Sequence, residues 1–327
     1  MTELHHRTLA ANGIRIHAVE AGEGPLVLMV HGWPESWYSW RHQLPSLAEA
    51  GYHAVAIDVR GYGRSSAPPA IESYRTLCHV ADALGVLDAL GAEQAVIVGH
   101  DWGAPTAWNS ALLRPDRFRA VAGLSVPYSP RSANAPLPTF RAIAGDNEFY
   151  IEYFQEPGRA EAEFEGDVRE WLRGIYLSAS GDGPVMDISE HSFAMIPPGA
   201  RMQDRFVAAP DTMPAWLSEA DLDVYAGEFE RSGLTGGFNR YRNVQRDWED
   251  LAFVAGQPIL VPSLFVGGSK DGPTLWGKRT IDRFPTTLPG LTRSIILDGC
   301  GHWVQQERPT EVNELLVAFL DGLDTGS

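Results

Sequence analysis

The sequence predicts an α/β fold whose mostly parallel central sheet is interrupted by an inserted helical cap. Three observations predict it: short apolar runs alternate with amphipathic stretches, the alternation breaks off, and it returns near the C-terminus. Arg7 to Val19 alternates apolar and polar residues about Asn12-Gly13, a two-residue hairpin signal. The runs at 25–32 (PLVLMVHG), 53–59 (HAVAIDV), 94–100 (QAVIVGH) and 118–126 (FRAVAGLSV) are continuously apolar, as strands buried on both faces require. Between them, 36–50, 74–90 and 103–114 repeat apolar residues at three and four, the helical spacing, and the second stretch stops before Gly91. The segment 128–255 is rich in Trp, Tyr, Phe, Glu and Pro but has no buried-strand run, so it reads as a helical lid. Pro127-Tyr128-Ser129-Pro130 marks its entry and Gly256-Gln257-Pro258 its exit. Strand runs resume at 262–268 and 292–299, followed by an amphipathic helix at 309–323. The expected organisation is a core in two parts, 1–127 and 256–327, around a cap at 128–255.

Composition narrows the function classes. Of 327 residues, 44% are hydrophobic and 21% charged, an ordinary globular balance. The net charge of −16 leaves no basic stripe for a nucleic acid and disfavours adhesion to anionic lipid. No apolar run reaches the roughly 20 residues a spanning helix needs, and MTELHHRTLAANG lacks the apolar core of a signal peptide, so a cytoplasmic location is expected. A homodimer stays open, since nothing in the sequence fixes the oligomeric state. Cys78 and Cys300 form no CxxC or Cys/His ligand pattern, so neither a disulfide framework nor a metal is expected. Cys78 reads as a buried helix residue. Cys300 lies two residues before His302, a sequence separation that rarely gives nucleophile–base geometry on one loop.

The chemistry centres on Gly99-His100-Asp101-Trp102-Gly103, where a buried strand meets a helix and small residues stand two before and two after Asp101. This is the pattern of a nucleophile elbow, whose tight strand-to-helix turn aims the central side chain into a cleft. The central residue is Asp, not Ser. A carboxylate is suited to displacement at an sp³ carbon, giving an ester whose carbonyl belongs to the enzyme, so esterase and lipase chemistry is disfavoured. His31-Gly32-Trp33-Pro34 ends an earlier strand where such an architecture supplies one oxyanion donor; the backbone N–H groups of Trp33 and Trp102 are the candidate pair. Asp271, in GGSKDG, and His302, in GCGHW, follow the next two strands in the order nucleophile, acid, histidine. His302 is the expected general base and Asp271 the residue that orients it.

With these residues in place, the sequence resembles the epoxide hydrolases of the α/β-hydrolase fold, of the soluble type, over nearly the whole chain. The matching stretches are HGWPESWYSWRHQLP at 31–45, DVRGYGRS at 58–65, GHDWGAPTAW at 99–108, FYIEYFQEPGRAEAE at 149–163, GGFNRYRN at 236–243 and GHWVQQERP at 301–309. The resemblance implies a small-molecule epoxide as substrate, no cofactor, and two cap tyrosines bonded to the epoxide oxygen. It puts them at Tyr150 and Tyr241, with Tyr153 the near competitor for Tyr150. Opening an oxirane leaves an alkoxide, which needs such donors. Trp33, Trp102, Phe154 and Trp303 are the expected walls of an apolar pocket, although core packing explains any one of them equally well. Glu35 is either a residue that places water near His302 or an exposed turn carboxylate. The rival reading is a haloalkane dehalogenase, which shares an Asp nucleophile but releases a halide that gains little from two phenols. A fluoroacetate dehalogenase places arginines beside the nucleophile, where this chain has Trp102. A non-catalytic member of the fold is disfavoured because each catalytic position is filled.

Overall fold

A computed structural model describes residues 2–185, 192–210 and 212–324. Eight strands form one sheet: β1 (His5–Ala11), β2 (Ile14–Ala21), β3 (Leu26–Val30), β4 (His53–Ile57), β5 (Ala95–His100), β6 (Phe118–Leu124), β7 (Ser263–Gly268) and β8 (Leu291–Leu297). Their spatial order is β1-β2-β4-β3-β5-β6-β7-β8. The six strands from β4 to β8 pair in parallel, and β2 joins them antiparallel. The β1–β2 hairpin turns at Asn12 and Gly13, both with positive φ, as the Asn-Gly pair requires.

Burial follows the pleat. In β3, Val27 and Met29 face one side, with α1 (Gln43–Glu49) and the last helix (Pro309–Asp324) supplying Leu44, Leu47, Leu316 and Leu320. Leu28 and Val30 face the other side, against α2 (Thr76–Leu90) and α3 (Gly103–Leu113), which supply Val86, Leu87, Ala107 and Trp108. Every residue of β3, β5 and β7 is buried, which explains why these runs show no alternation. β8 differs from that expectation: it is the edge strand, and Thr292, Arg293 and Ser294 are exposed.

The stretch 36–50 is not one helix but a 3₁₀ turn at Trp37–Trp40 followed by α1. Pro45 has no N–H to bond back into a preceding turn, so the α-helix begins only at Gln43, where that loss costs nothing. α2 ends at Gly91 in the left-handed region, as its glycine signals. Cys78 lies on α2 but is only partly buried, because its face of the helix borders the loop at Glu72.

Among the described residues, the sheet receives no strand between β6 and β7. That stretch carries helices, among them α4 (Val168–Ser178), α5 (Glu219–Ser232) and α6 (Thr235–Tyr241), and a two-residue strand pair, Glu148–Phe149 with Met195–Ile196. It lies against the loops that follow the parallel strands: Tyr176 donates to Pro34 O at 2.7 Å and Tyr38 to Asp221 Oδ1 at 2.9 Å. Among the described residues, no helix is long and apolar enough to cross a membrane.

Candidate active site

The turn from β5 into α3 holds Asp101 at φ 48°, in the left-handed region, and this strain aims its side chain off the end of the sheet. The turn is closed by glycine. A Cβ on Gly99 would collide with the Gly103 carbonyl, and one on Gly103 with the Val30 carbonyl. Gly32 is constrained from the other side, since a Cβ there would strike the Asp101 carboxylate. The close approach lets the Trp33 N–H donate to Asp101 Oδ1 at 2.7 Å. Trp102, the partner expected for that amide, takes a right-handed helical conformation directly after Asp101 and caps α3.

His302 Nε2 stands 3.4 Å from Asp101 Oδ2, and its Nδ1 stands 2.8 Å from Asp271 Oδ1. Asp271 is fully buried at the cap of a short helix, Gly272–Trp276. Its second oxygen accepts from Thr274 Oγ1 at 2.6 Å, Thr274 N at 3.2 Å and Ser125 Oγ at 2.8 Å. One oxygen is thus pinned, leaving the other to orient the imidazole. Burial alone would lower the His302 pKa, but the charges and hydrogen bonds of Asp271 and Asp101 outweigh it and push the group up to about 10.

Tyr150 and Tyr241 converge on the same space, their rings 5.8 Å apart. Burial, and then the Asp101 charge for Tyr150 and Tyr150 itself for Tyr241, push both phenols far above the ordinary tyrosine range. Both therefore remain hydrogen-bond donors at neutral pH. Tyr153 points elsewhere, its hydroxyl donating to Glu163 Oε2 at 2.7 Å. Two cavities meet at Asp101, Tyr150 and Pro273. The larger, about 360 Å³, is walled by Trp102, Phe140, Phe149 and Trp276. The smaller, about 30 Å³, is walled by Trp33, Ile175, Phe193 and Trp303, with Tyr241 and His302.

Two expectations need correction. Phe154 lines neither cavity; it packs behind the site against Trp33, Tyr150 and Tyr241, with ring centroids 5.0 to 5.7 Å apart. Glu35 is neither exposed nor bonded to the His302 side chain. It is fully buried, accepting from Gly32 N at 2.8 Å and Gln305 Nε2 at 3.0 Å, and it pairs with His100 Nδ1 at 2.7 Å. Burial would raise this carboxyl, but the His100 ring, helped by His31 and the Gly32 amide, holds it down at about 2. His100 in turn contacts the His302 carbonyl at 2.8 Å, so Glu35 ties the loops at Gly32, His100 and His302 together from beneath. Ser125, at φ 69°, was not singled out by sequence; only its position at the end of a strand run could have flagged it.

Residues 25–162 match the family model described as alpha/beta hydrolase fold. The chain is 50% identical to "Epoxide hydrolase A" of Mycobacterium tuberculosis over 97% of this chain and 98% of that one. It is 41% identical to "Epoxide hydrolase 2" of Siraitia grosvenorii, over 98% and 99% of the two chains. Among solved structures it superimposes on an epoxide hydrolase from an endophytic Streptomyces with a TM-score of 0.95, at 60% identity over 98% of this chain and 96% of that one. Full-length identity at this level, on a fold whose elbow carries Asp101, means that the chain belongs to the epoxide hydrolases of the α/β-hydrolase fold.

Proposed function

We propose that this enzyme opens an epoxide by forming an ester on Asp101 and then hydrolyses that ester, with residues 128–255 acting as the cap that supplies the tyrosines. The observation that carries this reading is the division of labour between the two Asp101 oxygens: Oδ1 accepts from Trp33 N–H, while Oδ2 faces His302 and the cavities. Oδ2 attacks a ring carbon as the oxirane C–O bond breaks, and the oxygen left on the substrate takes a proton from Tyr150 or Tyr241. Esterification removes the Asp101 charge, so His302 binds its proton less tightly; that proton replaces the one the phenol has lost. The neutral imidazole then takes a proton from water as the water oxygen adds to Cγ, and negative charge gathers on Oδ1, already beneath the Trp33 amide, with the Trp102 N–H as the second expected donor. Collapse breaks the Cγ–Oδ2 bond, and the new carboxyl group gives its proton to the departing oxygen. The product is a vicinal diol carrying Oδ2.

The two cavities suggest the substrate shape. An oxirane between Asp101 and the tyrosines would send one bulky apolar substituent into the larger cavity, and the smaller has room for little more than a methyl group. A cytoplasmic location fits an acidic chain whose two cysteines are both free. The test is a panel of purified substrates: terminal epoxides bearing one large apolar group, epoxides bulky on both carbons, and bromoalkanes of matched shape. Diol should form fastest from the first group. Bromide release faster than diol formation would replace this reading with dehalogenase chemistry.

A further inference from the structure

Three backbone groups of one turn in the insertion are bonded to His302 itself, to Glu307 and to Lys270 beside Asp271. Behind α4, the carbonyl of Ala179 accepts from the His302 N–H at 2.8 Å. The N–H of Gly181 donates to Glu307 Oε2 at 2.9 Å, and the Gly181 carbonyl accepts from Lys270 Nζ at 2.6 Å. Lys270 immediately precedes Asp271, and its own N–H donates to the Cys300 carbonyl at 2.9 Å. Glu307 binds the histidine loop as well: Oε2 also accepts from Gly301 N at 2.9 Å, and Oε1 from Trp303 N at 3.0 Å. His302 therefore sits between two amides held by one carboxylate. The fit is close, because a Cβ on Gly301 would collide with the Gly181 amide, and one on Gly181 with the Gly299 carbonyl. Glu307 touches neither cavity beside Asp101.

We propose that Glu307 is a positioning residue for His302, clasping the 179–181 turn to the histidine loop so that the imidazole is aligned for ester hydrolysis. The inference rests on the two-step reading above. Its logic is one of hydrogen-bond supply: three N–H donors require both carboxylate oxygens, and an amide offers one oxygen and one NH₂ group. In Glu307→Gln either flip sets NH₂ against at least one backbone N–H, leaving a donor unsatisfied and loosening the loop. Alkylation by Asp101 does not need the imidazole to act as a base, whereas hydrolysis does, so the loss should fall on the second step. Misplacement of a catalytic group by about 1 Å can cost on the order of a hundredfold, so a partial loosening should slow hydrolysis about tenfold or more.

The experiment measures the alkylation and hydrolysis rates separately in single turnovers of wild type, Glu307→Gln and Lys270→Met, well below each protein's melting temperature. Lys270→Met removes the other side-chain hold on Gly181 and decides the matter if Glu307→Gln does not fold. Hydrolysis should fall about tenfold or more in Glu307→Gln, and in the same direction in Lys270→Met, with alkylation within about twofold and the ester accumulating by intact mass. Unchanged hydrolysis, or both rates falling together, would overturn the proposal. His302→Gln serves as the control for the underlying scheme. Ester trapped in that variant, but no split of rates in the other two, refutes only the clasp; no ester even in His302→Gln refutes the two-step reading itself.

Discussion

Neutralising Asp101 should convert His302 from a proton holder into a base, and Asp101→Asn imitates that event without substrate. In the resting enzyme the imidazole, with Asp101 Oδ2 at 3.4 Å and Asp271 Oδ1 at 2.8 Å, is pushed up to about 10. At an effective dielectric of about 20, one unit charge at that first distance is worth about 5 kcal/mol. With roughly 1.4 kcal/mol per pK unit, its removal lowers the imidazole from about 10 toward neutrality, by at most about three and a half units, since the larger raising influence, the Asp271 charge, is untouched. Asp271 remains and opposes a deeper fall, while burial favours it. The Asn amide adds to the change, because with its oxygen on the Trp33 N–H its NH₂ faces Nε2 and bonds the neutral ring. The assay is a nitrogen-detected NMR titration of the imidazoles, with His302 assigned among the ten histidines by the spectrum lost in His302→Gln. A His302 pKa within about half a unit of wild type in Asp101→Asn would refute the idea that alkylation itself prepares the base. The same argument makes ester hydrolysis in wild type rise with pH through neutrality.

Replacing both Tyr150 and Tyr241 by Phe should cut alkylation by an epoxide about a thousandfold or more, since one oxyanion donor alone is worth about a hundred- to a thousandfold; stopped-flow rates near wild type would contradict their assignment. His302→Gln should gain the mass of one epoxide and keep it, which intact-mass spectrometry reads directly. The His302 pKa also has a stability consequence: the folded value, about 10, lies above the unfolded value near 6.5, so its stabilisation is complete below about pH 6.5 and is lost as pH rises toward 10. The slope is about 1.4 kcal/mol per pH unit within that window, and chemical denaturation across pH 7–9 should show it flattened in His302→Gln.

The sheet was legible because strands buried on both faces leave unbroken apolar runs, as at Leu26–Val30 and Ser263–Gly268. β8 was legible in position but not in exposure, since nothing local says that a strand ends the sheet. Asp101, Asp271 and His302 were legible because each follows a strand run and carries a turn signature. Tyr150 and Tyr241 were legible only through family resemblance, as an aromatic helix offers several tyrosines and hydroxyl direction is a tertiary property; Tyr153, committed to Glu163, shows the ambiguity. Glu35 and Glu307 eluded a local reading for one shared reason. Beside near neighbours such as Gly32 and Trp303, each has partners far away in the chain, His100 and Gln305 for the one and Gly181 for the other, so the burial and the full set of hydrogen bonds arise only on folding.

The central claim, that the oxygen added to the substrate comes first from Asp101, is tested most directly by one enzyme turnover in heavy-oxygen water. With enzyme in excess over epoxide, the account predicts an unlabelled diol and label in the Asp101 carboxylate, located by mass spectrometry of the peptide that contains it. Heavy oxygen in the diol of that first turnover, with Asp101 unlabelled, would contradict the account and point to direct attack by activated water.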